Sequence, residues 1–214
     1  MKTPLYKLGF ILFAFLCLLI GLYPMVYFLP GSRPGFFDNK AQELLASVFW
    51  QTAFYGHILF GGTALLSGCT QFSARIRRKR LRLHRSLGKV YVASVGASGT
   101  CALYLGLFAN GGWLASLGFI CLGLVWLSTT FLAFSAIRKL DLARHQDMMT
   151  YSYAACFAAV TLRLWLPLLV PLFGAFEPAY IFISWWCWVP NLLVAHGLVH
   201  LRRKARLATH VQGL

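Results

Sequence analysis

The chain has 214 residues, of which 59% are hydrophobic and only 12% charged, and its formal net charge is +15. Soluble domains carry about 25% charged residues, so this composition, with a mean hydropathy of +0.67, excludes an ordinary soluble protein. The apolar runs are continuous and reach the ~20 residues that a bilayer core requires, which excludes an outer-membrane barrel, whose strands alternate apolar and polar over about ten residues.

The pattern predicts an all-α, polytopic membrane helix bundle forming a single domain over residues 1–214, with six transmembrane helices at about 8–29, 48–72, 87–109, 113–137, 148–173 and 179–201. The first apolar run is too long for a signal peptide and no A-x-A cleavage site follows it, so it is read as an uncleaved span. A connection at 30–47 carries Asp38 and Glu43 on or beside a short interfacial helix at 40–46. The second span carries His57, which shares a helical face with Gly61, Ala64 and Gly68. Small residues on that face favour close helix approach in lipid, so His57 should point into the bundle.

The segment RIRRKRLRLHR follows at 75–85. It serves as a topology determinant and as a candidate site for anionic lipid headgroups, each Lys or Arg near an anionic leaflet contributing about 1 kcal/mol. Spans three and four meet at a tight turn, Asn110-Gly111-Gly112. The fifth span contains Arg163, with Pro167 and Pro171 expected to bend its far end. The sixth carries Trp185, Trp186 and Trp188, of which one or two are read as an interfacial belt and the others as candidates to line a flat-ligand pocket, then Pro190, expected to bend it, and Asn191.

Of the 20 lysines and arginines, all but Arg33, Lys40 and Arg163 fall at one side of this arrangement, the side of the N-terminus. That is the positive-inside distribution. It places both termini in the cytoplasm and the protein in the cytoplasmic (inner) membrane. It also accounts for the basic charge without nucleic acid. The six cysteines stand singly in apolar segments, with no CxxC pair, so neither a disulfide framework nor a zinc-thiolate site is expected.

Arg163 marks the site. A guanidinium in hydrocarbon costs at least ~2.5–3.5 kcal/mol, and its apolar run holds no acidic partner. At about 1.5 Å per residue, His57, Arg163 and Asn191 lie roughly 14, 15 and 18 Å below one membrane edge. Three polar side chains at one level define a candidate ligand-binding site. A second group, His84, His145 and His196, lies toward the basic edge and supplies candidate haem or metal ligands, since haem b is held by imidazoles from two helices with basic residues near its propionates. His196 and His200 are spaced as a metal-binding pair would be.

Four blocks carry a resemblance: His57-Ile-Leu-Phe-Gly-Gly through Gln71-Phe72, then His84-Arg-Ser-Leu-Gly-Lys-Val-Tyr, then the His145 segment to Val160-Thr-Leu-Arg163, and Trp188-Val-Pro-Asn191-Leu. Over about 51–201 the chain resembles a bacterial DUF2306-type family of predicted multi-pass membrane proteins. Thr150 departs from the pattern, which has a basic residue there, and so does His196, where an acidic residue is commoner. The resemblance implies a multi-helix membrane fold and supplies no established activity.

The expected function is that of a membrane protein with an internal His/Arg/Asn site, redox-linked through haem b or a quinone. A non-enzymatic transporter or lipid-binding subunit is the first alternative, and transport would call for internal repeats and discontinuous helices. A zinc-dependent membrane hydrolase using His145, Asp147, His196 and His200 is the second.

Overall fold

The computed structural model describes residues 4–31 and 37–212. Lys2 and Arg33, which enter the charge count, lie outside the described residues. Within them the regular structure is helical. The order is α1 (Pro4–Leu22), a 3-10 turn (Tyr23–Phe28), a second (Phe37–Asn39), α2 (Gln42–Ala46), α3 (Val48–Thr70), α4 (Ala74–Lys79), α5 (Leu81–Gly106), α6 (Gly112–Arg138), α7 (Leu142–Cys156), α8 (Ala158–Phe173), α9 (Phe176–Trp186) and α10 (Val189–Gln212).

Four segments are long and apolar enough to cross a membrane: Lys7–Phe28, Gly112–Arg138, Leu142–Phe173 and Phe176–Ala208. Helices α3 and α5 cover the second and third predicted spans and have the length, 23 and 26 residues. They lack the same apolarity, because α3 carries Gln51 and His57, and α5 opens on Leu81-Arg82-Leu83-His84-Arg85. The basic segment at 75–85 is thus largely helical, as α4 and the first turn of α5. Large apolar side chains such as Leu8, Ile11, Phe131 and Leu193 are exposed, as a bilayer-facing surface requires.

Local chemistry sets the helix ends. Ser47, Ser73 and Asp141 accept the backbone N–H of Trp50, Ile76 and Arg144, starting α3, α4 and α7. Gly111 and Gly112 take positive φ, +86° and +71°, which allows the tight α5–α6 turn. Pro24 opens the 3-10 turn that ends α1.

The fifth predicted span is interrupted, but not where its prolines lie. The α helix breaks at Phe157, between α7 and α8, while α8 runs through both Pro167 and Pro171. Proline is tolerated within membrane helices where neighbouring groups satisfy the freed backbone. At Phe157 the bonding shortens instead, with Val160 N–H donating to the Phe157 carbonyl at 2.9 Å. The sixth span is interrupted at Cys187–Trp188, just before Pro190, which sits in the first turn of α10 where its missing N–H costs little.

Neighbours in the bundle are α3 with α5, α5 with α6, α6 with α7, α8 with α9, α1 with α3, α6 with α9, and α7 with α10. The bundle has a loop end, where residues 37–46 lie, and a basic end, where α4 and the last turns of α10 lie. The α1–α3 crossing depends on Gly62, at which an added Cβ would stand 2.5 Å from the Gly21 carbonyl oxygen.

One core cluster, around Leu65, Tyr91, Val95 and Tyr153, holds a buried polar network. The Ser152 hydroxyl bridges the Tyr91 hydroxyl (2.7 Å) and the Thr130 hydroxyl (2.6 Å), while the Tyr153 hydroxyl donates to the Leu65 carbonyl (2.9 Å) and meets Cys17 Sγ (3.1 Å). These polar atoms are buried and satisfy one another, which removes the desolvation cost of each.

Candidate functional site

Toward the loop end the packing opens into a cavity of about 270 Å³. Its walls come from α1, the first 3-10 turn, α3, α5, α6, α7, α8 and α9, with Lys40 at the loop end. Gly61, Gly62, Gly106, Gly123, Ala155, Ala158 and Ala159 are among its lining residues. Tyr27, Trp50, Phe54, Phe119, Trp126 and Tyr180 supply the aromatic lining. The volume lies just under the roughly 300–1,000 Å³ usual for small-molecule sites.

Two of the three predicted ligand residues, His57 and Arg163, line this cavity. His57 reaches α5 through Nδ1, which lies 3.0 Å from Ser98 Oγ and 3.2 Å from the Ser98 carbonyl oxygen. The Ser98 hydroxyl has one proton, and it is donated to the His57 carbonyl at 2.9 Å. A carbonyl oxygen can only accept. Both contacts therefore require the proton on Nδ1, and Nε2 keeps its lone pair. His57, a lining residue, thus keeps an acceptor at Nε2, its tautomer fixed by the bonds to Ser98.

Arg163 donates to the Ala159 carbonyl at 2.9 Å, and its guanidinium carbon lies 5.1 Å from the centre of the Tyr23 ring. A backbone carbonyl and an aromatic face replace the missing carboxylate, a cation–π contact of the kind that gains weight when desolvated. The cavity wall itself contains no Asp or Glu among its described residues.

Asn191 does not line the cavity. Its side-chain nitrogen lies within hydrogen-bond distance of the Cys187 carbonyl (2.9 Å), Thr161 Oγ1 (3.1 Å) and the Ala154 carbonyl (3.3 Å). Thr161 also donates to the Cys187 carbonyl. The two helix interruptions are therefore bound to one another, and Asn191 satisfies backbone groups that they release.

Two further lining residues matter that sequence reasoning did not select. Trp50 is 2% exposed, and its indole N–H is buried without a hydrogen-bond partner among the described residues. Such orphaned donors are rare in native structures. The sequence held a signal for it, because Trp50 precedes His57 by two helical turns and so shares its face. Lys40 lines the loop end of the cavity and donates to the Phe108 carbonyl on the α5–α6 turn. Burial pushes its ammonium down to about 8.

The histidines of the basic end each have surroundings of their own, with His84 and His145 near enough to interact. His145 Nδ1 lies 2.9 Å from the Ala133 carbonyl, and His196 Nδ1 lies 3.0 Å from the Tyr151 hydroxyl. His84 Nδ1 is buried without a partner among the described residues. Burial, then the charges of Arg77, His145 and Arg85, push its imidazole below the ordinary value. Neither this cavity nor a second one between α6 and α7 is lined by any of the three. Among the described residues no three His, Cys, Asp or Glu side chains group as a metal site would. Asp147, a candidate zinc ligand on sequence grounds, is instead surrounded by Arg202, Arg203 and Arg206. The indole N–H groups of Trp185 and Trp188 bond the carbonyls of Leu114 and Ser184, away from the cavity wall.

No curated protein and no solved structure matches the chain. Residues 54–199, which include His57, Arg163 and Asn191, match the sequence model of DUF2306, described as a predicted membrane protein. With more than half of its length so matched, the chain belongs to the DUF2306 family of multi-pass membrane proteins.

Proposed function

We propose that the cavity binds an amphipathic quinone and that the protein is redox-linked through it. One observation carries this reading: an aromatic cavity lined by Arg163, Lys40, Trp50, whose N–H is orphaned, and His57, whose Nδ1 is turned to Ser98. A quinone ring is flat and apolar, accepts hydrogen bonds at two carbonyl oxygens, and gains two hydroxyl donors on reduction. When bound, it supplies reversible two-electron, two-proton chemistry. The chain's own residues do the rest. Arg163 and Trp50 hold oxygens by hydrogen bonds strengthened in a low-dielectric site. His57 Nε2 accepts a hydroxyl proton, and Ser98 holds the imidazole in the tautomer that this demands. The walls exclude water from the exchange.

The six-crossing topology belongs to the same proposal, with α7–α8 and α9–α10 each forming one interrupted crossing and both termini cytoplasmic in the inner membrane. The basic residues gathered at one end support it. Reporter fusions after Gly112 should read outside and at the C-terminus inside, and an active periplasmic reporter at the C-terminus overturns it. Residues 75–85 remain a candidate contact for anionic lipid on the cytoplasmic side.

Transport or lipid binding is the second reading, favoured by the two helix interruptions, since transporters bind substrates at such breaks. Here the Cys187 carbonyl is taken by Asn191 and Thr161, so it is not offered to a substrate, which favours the quinone.

The test is a titration of the purified protein with decylubiquinone and menadione, read by quenching of the cavity tryptophans Trp50 and Trp126. Saturable binding, weakened by His57→Phe and by Arg163→Gln, is expected. No saturable binding by either quinone, or variants that bind as the wild type does, overturns the proposal.

A further inference from the structure

At the basic end three arginines of α10 converge on one carboxylate of α7, and their charges do not cancel. Arg203 Nε donates to Asp147 Oδ2 at 2.9 Å, while Arg202 and Arg206 stand 3.5 and 3.4 Å from Oδ1. The Asp147 side chain is 3% exposed, whereas those of Arg202, Arg203 and Arg206 keep 36%, 57% and 33% of their surface. The carboxylate therefore lies beneath a rim of guanidinium groups.

Helix α7 fixes two of them further. Arg202 donates to the Gln146 carbonyl and to Thr150 Oγ1, and Arg206 donates to Gln146 Oε1 at 3.0 Å. Docking α10 on α7 would need one such pair. The second and third arginines add mutual repulsion, because three cations on one anion leave two positive charges unbalanced. Guanidinium forks match phosphate oxygens in bidentate geometry, and here they are already held in place. On α10, one turn toward the membrane, Leu198 and Leu201 are exposed, so an apolar surface adjoins the charged rim.

We propose that Arg202, Arg203 and Arg206, anchored from below by Asp147, form a binding site for a phosphate group, carried by an acidic phospholipid headgroup or free in solution. The site uses none of the residues of the basic segment at 75–85 and none that line the quinone cavity. A phosphate there neutralises the surplus charge. If it belongs to a lipid, the acyl chains lie along Leu198 and Leu201.

The test uses the delipidated full chain in mild detergent, titrated with dioleoyl phosphatidic acid, dioleoyl phosphatidylcholine and inorganic phosphate, with binding read by native mass spectrometry and by the thermal midpoint. Phosphatidic acid should bind saturably and phosphatidylcholine should not. Removing each arginine should weaken binding about tenfold, so Arg202→Gln with Arg206→Gln should weaken it about a hundredfold. Arg77→Gln with Arg78→Gln should leave it unchanged. Competition by millimolar inorganic phosphate would support the site and identify free phosphate as a ligand. Binding of the lipid without such competition would support it as a headgroup site. Should the double variant fail to fold, Arg206→Gln alone leaves Asp147 two partners and should still show the tenfold loss. Saturable binding by neither probe, wild-type affinity in the α10 variants, or loss of binding on changing Arg77 and Arg78 would overturn the proposal.

Discussion

The basic end and the loop end of this bundle use similar residues in opposite ways. Around Tyr91, Ser152 and Thr130 each hydroxyl finds another, and Tyr153 finds a carbonyl. Around His57 and Trp50 the bonds are incomplete: the Trp50 N–H has no partner among the described residues, and His57, a lining residue, keeps an acceptor at Nε2. A buried polar group without a partner costs free energy, so an incomplete network persists where something else completes it. The hydroxyl network ties α5, α6 and α7 together, whereas His57 and Trp50 line a cavity; the basic end keeps an orphan of its own in His84 Nδ1.

Substitutions should separate the two ends. The largest effect is expected from Asp147→Asn, which leaves three arginines without their carboxylate. Breaking such a pair costs about 3 kcal/mol or less, since the arginines are partly solvated, and thermal unfolding should show the loss while quinone affinity per folded molecule is kept. Arg163→Gln should behave in the reverse manner. Quinone affinity should fall by up to about a hundredfold, as for a lost hydrogen bond to a charged group, with stability unchanged or raised because an expensive intramembrane charge is gone. A variant that instead loses stability, and binds quinone normally, would make Arg163 a structural residue and erase the contrast.

Smaller changes sharpen it. Trp50→Phe removes the orphaned N–H together with part of the indole, so quinone binding should weaken about tenfold, with a lower unfolding midpoint from the space left behind. Tyr153→Phe removes bonds to Leu65 and Cys17 and should cost about 1 kcal/mol of stability with binding intact. The smallest effect concerns Lys40, whose ammonium is held near 8 against an ordinary 10.5. Between those values the unfolded chain binds more protons than the folded one, so the contribution of Lys40 to stability rises with pH across that window. Over the same rise the cavity loses a positive charge, and binding of an anionic quinone analogue should weaken as pH passes 8. Lys40→Met should flatten both profiles, and profiles unchanged by it would assign the titration to another group.

Hydropathy and charge were enough to establish an all-helical membrane protein, because bilayer thickness and the positive-inside bias act on local composition. They also singled out Arg163 and His57, since a charge in an apolar run and a histidine on a glycine-lined face are one-dimensional signals. Depth along a helix, however, says nothing about rotation around it. That is why Asn191, at a similar predicted level, serves the helix interruptions and not the cavity wall. Pairing between distant helices was equally out of reach. Ser98 fixing the His57 tautomer, Tyr23 facing Arg163, and three α10 arginines closing on Asp147 are contacts between residues far apart in the chain, and only the packing of the bundle brings them within reach of one another.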